Sequence, residues 1–202
     1  MFAVGHLALG YILGKTTSKS LNVGLNIPLV LIASIIPDVD MLIPSLVHRG
    51  PTHSLILIFL FFLPAFVLYR ERAAPYFVAV ILHSIPGDYF TSGGVQLLWP
   101  LTPYWYGNGI KITSLTNIFI EWSLFLVFIA IMFKTKDVRV LFQHHVSNML
   151  LSIPVLTVLL PVLLSFPISV PLELVIPHAI YLVLFAASVL IDFRYVLSKL
   201  LD

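Results

Sequence analysis

The chain has no cysteine among its 202 residues, and it carries little charge. Without cysteine it can form neither a disulfide nor a thiolate-bound metal site, so any metal site must use His, Asp and Glu side chains. Charged residues make up only 10% of the sequence, whereas a soluble domain has about 25%. Because 59% of the residues are hydrophobic, we predict a polytopic membrane protein whose residues 1–202 form a single integral membrane domain.

The net charge of +2 is too small to indicate a nucleic-acid-binding protein. About seven stretches qualify as, or approach, the run of roughly 20 apolar residues that a transmembrane helix needs. We therefore predict an all-α transmembrane bundle of about seven helices, several of them short or broken by proline. The predicted spans are Phe2 to Gly14, Val23 to Leu46, Ser54 to Tyr69, Ala73 to Tyr89, Asn117 to Phe133, Asn148 to Phe166 and Pro171 to Phe193.

The orientation of such a bundle follows from its basic residues, because short cytoplasmic loops are enriched in Lys and Arg. An extracytoplasmic N-terminus leaves only Arg49 and Lys111 on the outer side. The cytoplasmic side then receives Lys15, Lys19, Arg70, Arg72, Lys134, Lys136, Arg139, Arg194 and Lys199. We predict a multi-pass protein of the cell membrane in this orientation.

On this topology the acidic residues and histidines of the first half converge near the outer surface. Ionisable groups within membrane segments are by default functional and paired. Carboxylate and imidazole groups are ligands for divalent zinc, manganese or iron, and we expect one to three such ions, with zinc favoured. The candidate ligands are His6, Asp38, Asp40, His48, His53, His83 and Asp88, and Glu121 lies one turn inside the fifth predicted helix.

Two prolines bear on whether these groups can meet. Pro37 precedes Asp38 and Asp40, and we expect it to break the helix so that both acids can approach one ion. His83 and Asp88 would lie about 140° apart on an ideal helix. The intervening Pro86-Gly87 pair makes an ideal helix unlikely there, so the Asp88 carboxylate can turn back toward His83.

Several motifs carry a family resemblance. GHLALG, IIPDVD, HRGPTHS and the stretch from His83 through GVQLLWP resemble the membrane-bound metal-dependent hydrolases, which include the LexA-binding, inner membrane-associated hydrolases. The resemblance covers roughly the first half of the chain, so we assign the metal site to residues 1–122 and a supporting role to residues 123–202. It implies metal-site positions at His6, Asp38, Asp40, His48, His53, His83 and Asp88.

The chain departs from the family pattern in two places. The family has His and Asp four residues apart where this chain has His83 and Asp88 five apart, and it often has a histidine where this chain has Met41. A more distant similarity is to the zinc-dependent phospholipases C and the fungal zinc nucleases. These are all-helical enzymes that cleave phosphoesters, and the similarity favours phosphoester chemistry here.

The predicted function is metal-dependent hydrolysis of a phospholipid or lipid-linked phosphate, reached from the outer leaflet. The metal lowers the pKa of bound water. Asp40 or Glu121 is the candidate general base, and Arg49 is the candidate group that stabilises negative charge on a phosphoryl oxygen.

Other interpretations stay open. His6 could be an interfacial helix residue, Asp38 a helix cap, His48 a surface residue, and Arg49 a structural partner of Asp40. His144, His145 and His178 are expected to be structural. At the level of the whole protein, the alternatives are a metal- or proton-coupled transporter and a non-enzymatic scaffold whose metal only holds short helices together.

Overall fold

The computed structural model describes residues 1–91, 93–166 and 168–201. The regular structure of these residues is helical and they form no strand, although Val95 and Tyr106 make an isolated bridge. The predicted all-α fold is therefore confirmed.

Six α-helices of seven or more residues form the framework of the described chain. They are α1 (Ala3–Ser20), α2 (Ile27–Ala33), α3 (Leu55–Tyr69), α4 (Ala74–Leu82), α6 (Leu115–Lys134) and the long C-terminal α10 (Val175–Leu201). The shorter helices are α5 (Tyr89–Thr91), α7 (Val138–Leu141), α8 (Ser152–Pro154) and α9 (Leu160–Leu163). Segments of 3-10 helix cover Ile36–Leu42, Pro51–His53, Arg70–Ala73, Asn148–Leu151 and Leu172–Leu174, and wider π turns cover His83–Asp88 and Val155–Leu159.

Two helices of the described chain are long and apolar enough to cross a membrane. They span Leu115–Lys134 and Leu172–Leu201, with mean hydropathies of 2.0 and 2.4. This is fewer than the predicted seven spans, because several of the other apolar runs are divided into short helices. Asn148–Leu163, for example, is a shorter apolar helix built from successive turns of different pitch.

The second predicted span, Val23 to Leu46, is wrong as a single helix. Asn26 caps the start of α2 by accepting a hydrogen bond from the backbone N–H of Leu29, but α2 ends at Ala33. Proline has no N–H and disfavours helical backbone in the residue before it, so the chain continues past Pro37 as the tighter 3-10 segment. Asp38 and Asp40 therefore lie on a turn beyond the helix, as the Pro37 break predicts.

Helix α1 packs against α4 and α6 and brings His6 into the interior. Two of its glycines allow α1 to lie close to α2 and to the residue that follows α2. A Cβ atom on Gly10 would lie only 2.2 Å from the Cβ of Ser34, and one on Gly14 would lie 2.5 Å from Cγ2 of Val30. Since Ser34 follows α2, Gly10 sets how closely α1 lies against the chain that leads to Asp38.

The close contact at Gly10 gives a stability prediction. Replacing Gly10 with Ala should destabilise the protein by about 1–3 kcal/mol, because the new methyl group overlaps Ser34 next to its backbone. Thermal unfolding of the purified protein in detergent measures this effect. Gly24→Ala is the matched control, since a Cβ there meets nothing within 4 Å. Equal melting temperatures for the two variants would contradict the packing described here.

Candidate metal centre

Four buried side chains, Asp38, His53, His83 and Asp88, each direct one ligand atom toward a common point. Nε2 of His53 lies 3.1 Å from Nε2 of His83, and Oδ1 of Asp38 lies 3.1 Å from the same His83 nitrogen. Oδ2 of Asp88 lies 3.2 Å from Nε2 of His53. Around a tetrahedral zinc ion with bonds of about 2.0–2.1 Å, neighbouring ligand atoms are roughly 3.3 Å apart. The distances given above are close to this value, as expected of ligand atoms that surround one ion.

A break in the helix after α4 brings Asp88 into this group. Ile85 has extended backbone, with φ −131° and ψ 119°, inside the turn His83–Asp88. The chain therefore does not continue as a regular helix from His83, and Oδ2 of Asp88 comes within 3.6 Å of Nε2 of His83. The five-residue spacing, which departs from the family pattern, is thus accommodated by the irregular backbone around Pro86.

Hydrogen bonds on the far side of each imidazole fix the His83 and His53 rings. Nδ1 of His83 lies 2.8 Å from the carbonyl oxygen of Ser34, which can only accept, so Nδ1 carries the proton. The Thr52 hydroxyl donates to Oδ2 of Asp40 at 2.6 Å and therefore accepts from Nδ1 of His53 at 2.9 Å. In the neutral rings both Nε2 lone pairs face the common point, which is the arrangement of metal-bound histidines.

Asp40 and His48 form a second, smaller group with His53, on the side of the ring that carries Nδ1. Oδ1 of Asp40 lies 2.9 Å from Nδ1 of His48, and Oδ2 lies 3.4 Å from Nδ1 of His53. Asp40 also accepts hydrogen bonds from the Thr52 hydroxyl and from the backbone N–H of Arg49. Asp40 is thus a carboxylate that orients the two histidines from behind.

His6 lies against this group without being one of its four converging side chains. Its ring stacks on the ring of His83 at 3.7 Å, and its Nε2 lies 3.5 Å from Oδ1 of Asp88. Neither of its ring nitrogens has a hydrogen-bond partner in the described chain. A Cβ on Gly87 would lie 2.6 Å from Cε1 of His6, so a glycine is needed at that position for the ring to fit.

Arg49 pairs with a different acid from the one considered on sequence grounds. Its Nη2 lies 3.2 Å from Oδ1 of Asp88, while its backbone N–H donates to Oδ2 of Asp40 at 3.3 Å. Arg49 has φ +65°, and this turn directs the guanidinium back over Asp88. The alternative in which its side chain pairs with Asp40 is therefore wrong.

Glu121 is a candidate general base on sequence grounds. It belongs to α6, contacts the start of α1, and lies outside both groups of converging ligands. Its two oxygens accept the backbone N–H groups of Phe2 at 2.8 Å and Gly5 at 3.0 Å, and Oε1 also accepts from Nδ2 of Asn117 at 2.7 Å. These contacts satisfy N–H groups that a helix start leaves unpaired. Glu121 holds α1 to α6 and positions the helix that carries His6, and its role as a general base stays a prediction.

The remaining histidines lie elsewhere, as expected of structural residues. Nε2 of His178 lies 2.7 Å from the carbonyl oxygen of Leu159. Nδ1 of His144 lies 2.5 Å from Oδ1 of Asp192, and its ring stacks on that of Tyr195 at 3.8 Å.

Three contributors to the site have weak or no signals in the sequence. Thr52 stands in the HRGPTHS motif, where it fits an ordinary turn residue equally well. Ser84 donates its hydroxyl to the carbonyl oxygen of His53 at 2.8 Å. Ser34 acts through its backbone carbonyl, which every residue possesses, so its role could be recognised only from the fold.

The family model described as YdjM inner membrane protein matches residues 1–170. The chain belongs to the YdjM inner membrane protein family. No curated protein and no solved structure matches it. The resemblance noted in the sequence is thereby confirmed for a membrane protein family, and a relationship to hydrolases or phospholipase C is not shown.

Family membership and the two long apolar helices make this YdjM family chain membrane-associated. Its buried His/Asp group could hold a divalent metal ion, and the metal is not identified by these observations.

The four converging ligand atoms predict stable binding of a divalent metal by the purified protein. Asp38→Asn should lower the metal content, because the amide keeps the shape of the carboxyl group but loses its negative charge. Elemental analysis after exhaustive dialysis measures this. The matched control is Glu173→Gln, an exposed carboxyl group that should leave the metal content unchanged. Wild-type protein that retains no metal after exposure to zinc or manganese would refute the site.

The Thr52 hydroxyl gives a separate prediction. Thr52→Val keeps the shape of the side chain but removes the link between Asp40 and His53, and it should weaken metal affinity about 10- to 100-fold. Thr52→Ser, which retains the hydroxyl, should restore most of the affinity. Competition with a chromogenic chelator measures both variants, and unchanged affinity in Thr52→Val would show that His53 is oriented by other contacts.

Proposed function

We propose that this protein is an integral membrane, metal-dependent hydrolase that acts on a phosphoester of a lipid or lipid-linked substrate at the extracytoplasmic face. The observation that carries the proposal is the 3.1 Å distance between Nε2 of His53 and Nε2 of His83, beside the carboxylates of Asp38 and Asp88. Two unprotonated imidazole nitrogens this close repel one another unless a proton or a metal cation lies between them. A divalent metal satisfies both lone pairs and both carboxylates at once.

Zinc is the favoured ion, because His and carboxylate donors at tetrahedral spacing suit it, and manganese and iron are alternatives. Asp38, His53, His83 and Asp88 would hold the first ion. A second position at Asp40, His48 and His53 would require Nδ1 of His53 to lose the proton that it donates to Thr52, and His6 lies beside the first position. When bound, the metal supplies a water of lowered pKa and polarises the scissile group.

A cavity of about 540 Å³ adjoins the site and is lined in part by His48, Arg49, Thr113 and Ser165. Apolar residues that include Phe2 and Ile112 complete its lining. This mixed surface suits an amphiphilic molecule with a polar headgroup. Arg49, which borders both the cavity and Asp88, is placed to donate hydrogen bonds to a phosphoryl oxygen.

Asp40 remains the proposed general base, since it lies outside the four converging ligands and next to the partly exposed His48. Its hydrogen bonds to Thr52 and His48 would have to rearrange for it to accept a proton.

In the proposed topology the chain crosses the membrane several times with its N-terminus outside, as the distribution of Lys and Arg favours. Residues 1–122 carry the site, and residues 123–202 support it.

A metal-stapled scaffold is the second candidate, and one observation favours it. Four protein donors form a complete tetrahedral set, which is typical of structural zinc sites, whereas catalytic sites usually have three protein ligands and an open position. In this alternative the ion joins the segments after α2, before α3 and after α4 and performs no chemistry.

Turnover distinguishes the two candidates. Purified protein in mixed micelles is assayed on a panel of phospholipids and soluble phosphoesters, with zinc, with manganese, or with EDTA. We expect metal-dependent cleavage that is lost in His53→Ala and retained in the control His144→Ala, which removes a histidine outside the site.

Arg49→Lys should raise KM more than it lowers kcat if its guanidinium binds the phosphate. Metal-loaded, folded protein with no turnover on the panel would favour the scaffold. Cation flux into proteoliposomes without turnover would favour the transporter considered from the sequence.

A further inference from the structure

A second region with the features of a ligand site lies at the opposite end of α2 from the metal centre. Asn26 caps the start of α2, whereas Ser34, the partner of His83, follows its end. Two cavities of about 680 and 530 Å³ adjoin there, between the loop that precedes α2 and the segment that links α3 to α4. Gly24, Asn26, Arg72 and Tyr76 line both cavities, so the two form one continuous cleft.

One part of this cleft is polar and basic. Arg72 and His145 border it, and Arg72 is exposed and makes no ion pair within the described residues. The Tyr76 hydroxyl accepts the backbone N–H of Asn26 at 2.9 Å, and its own hydrogen remains available for donation. Glu71 also lines this part and offsets one positive charge, but Arg70 lines the neighbouring cavity together with Glu71 and Arg72, so these three residues carry a net charge of +1.

The other part of the cleft is an apolar trough along α3. Leu29, Phe62 and Ala65 line it, together with the ring of Tyr69. The adjacent surface of α3 is also apolar and open, since Val67 and Leu68 are each 72% exposed. In a membrane-associated protein such a surface faces acyl chains, so the trough leads from the lipid phase to a cationic rim.

We propose that this cleft binds one anionic glycerophospholipid. The phosphate lies at Arg72 and Tyr76, and one acyl chain lies along Leu29, Phe62 and Ala65. Charge complementarity selects an anionic headgroup, because the free guanidinium of Arg72 can donate two parallel hydrogen bonds to a phosphate. The cleft shares no lining residue with the metal centre, so this site is independent of the proposed hydrolase activity.

Native mass spectrometry of the full chain, released from detergent after addition of phosphatidylglycerol or phosphatidylcholine of equal chain length, tests the proposal. The wild type should bind one phosphatidylglycerol in preference to phosphatidylcholine. Arg72→Gln should weaken phosphatidylglycerol binding about fivefold, the effect of one basic residue near an anionic lipid. Arg139→Gln removes an exposed arginine outside the cleft and should leave binding unchanged.

The trough has its own pair of variants. Ala65→Phe fills the apolar part and should also reduce phosphatidylglycerol binding, whereas Ala130→Phe on the exposed face of α6 should not. Soluble glycerophosphate, which has no acyl chain, should not compete. Equal binding of the two lipids, equal losses in Arg72→Gln and Arg139→Gln, or full competition by glycerophosphate would each overturn the proposed site.

Discussion

The opposed Nε2 atoms of His53 and His83 are the constraint around which the first half of the chain is arranged. Each ring is fixed from behind, His83 by the Ser34 carbonyl and His53 by the Thr52 hydroxyl, so neither ring can turn its lone pair away without losing a hydrogen bond. Buried polar groups without partners are costly. The protein thus holds the two Nε2 atoms 3.1 Å apart in a place where a shared proton or a metal cation relieves their repulsion.

Irregular backbone brings the ligands of the centre together. A continuous helix would spread Asp38 and Asp40, or His83 and Asp88, around its circumference. The 3-10 turn after Pro37 and the extended Ile85 before Pro86 instead bring carboxylates and imidazoles to one place. Both irregular segments carry buried residues, and the turn His83–Asp88 packs against α1. The same breaks explain why few helices reach the length of a full membrane span.

The two ends of α2 have different chemical character. Its C-terminal end leads into the His/Asp centre, whose charges are buried and mutually paired, while its N-terminal end borders a cleft with an unpaired arginine and an apolar trough.

The sequence alone determined the all-α class, the membrane association and the small set of residues that form the centre. Hydropathy and helix-breaking prolines are local properties, and buried charge in an apolar chain is rare enough to stand out. Only the tertiary structure decided which atoms meet. It placed Glu121 on the amide groups of α1, turned Asp88 back toward His83, paired Arg49 with Asp88 instead of Asp40, and divided the predicted spans. These outcomes depend on contacts between residues distant in the chain, and single-residue patterns do not encode which of several available partners a side chain finally contacts.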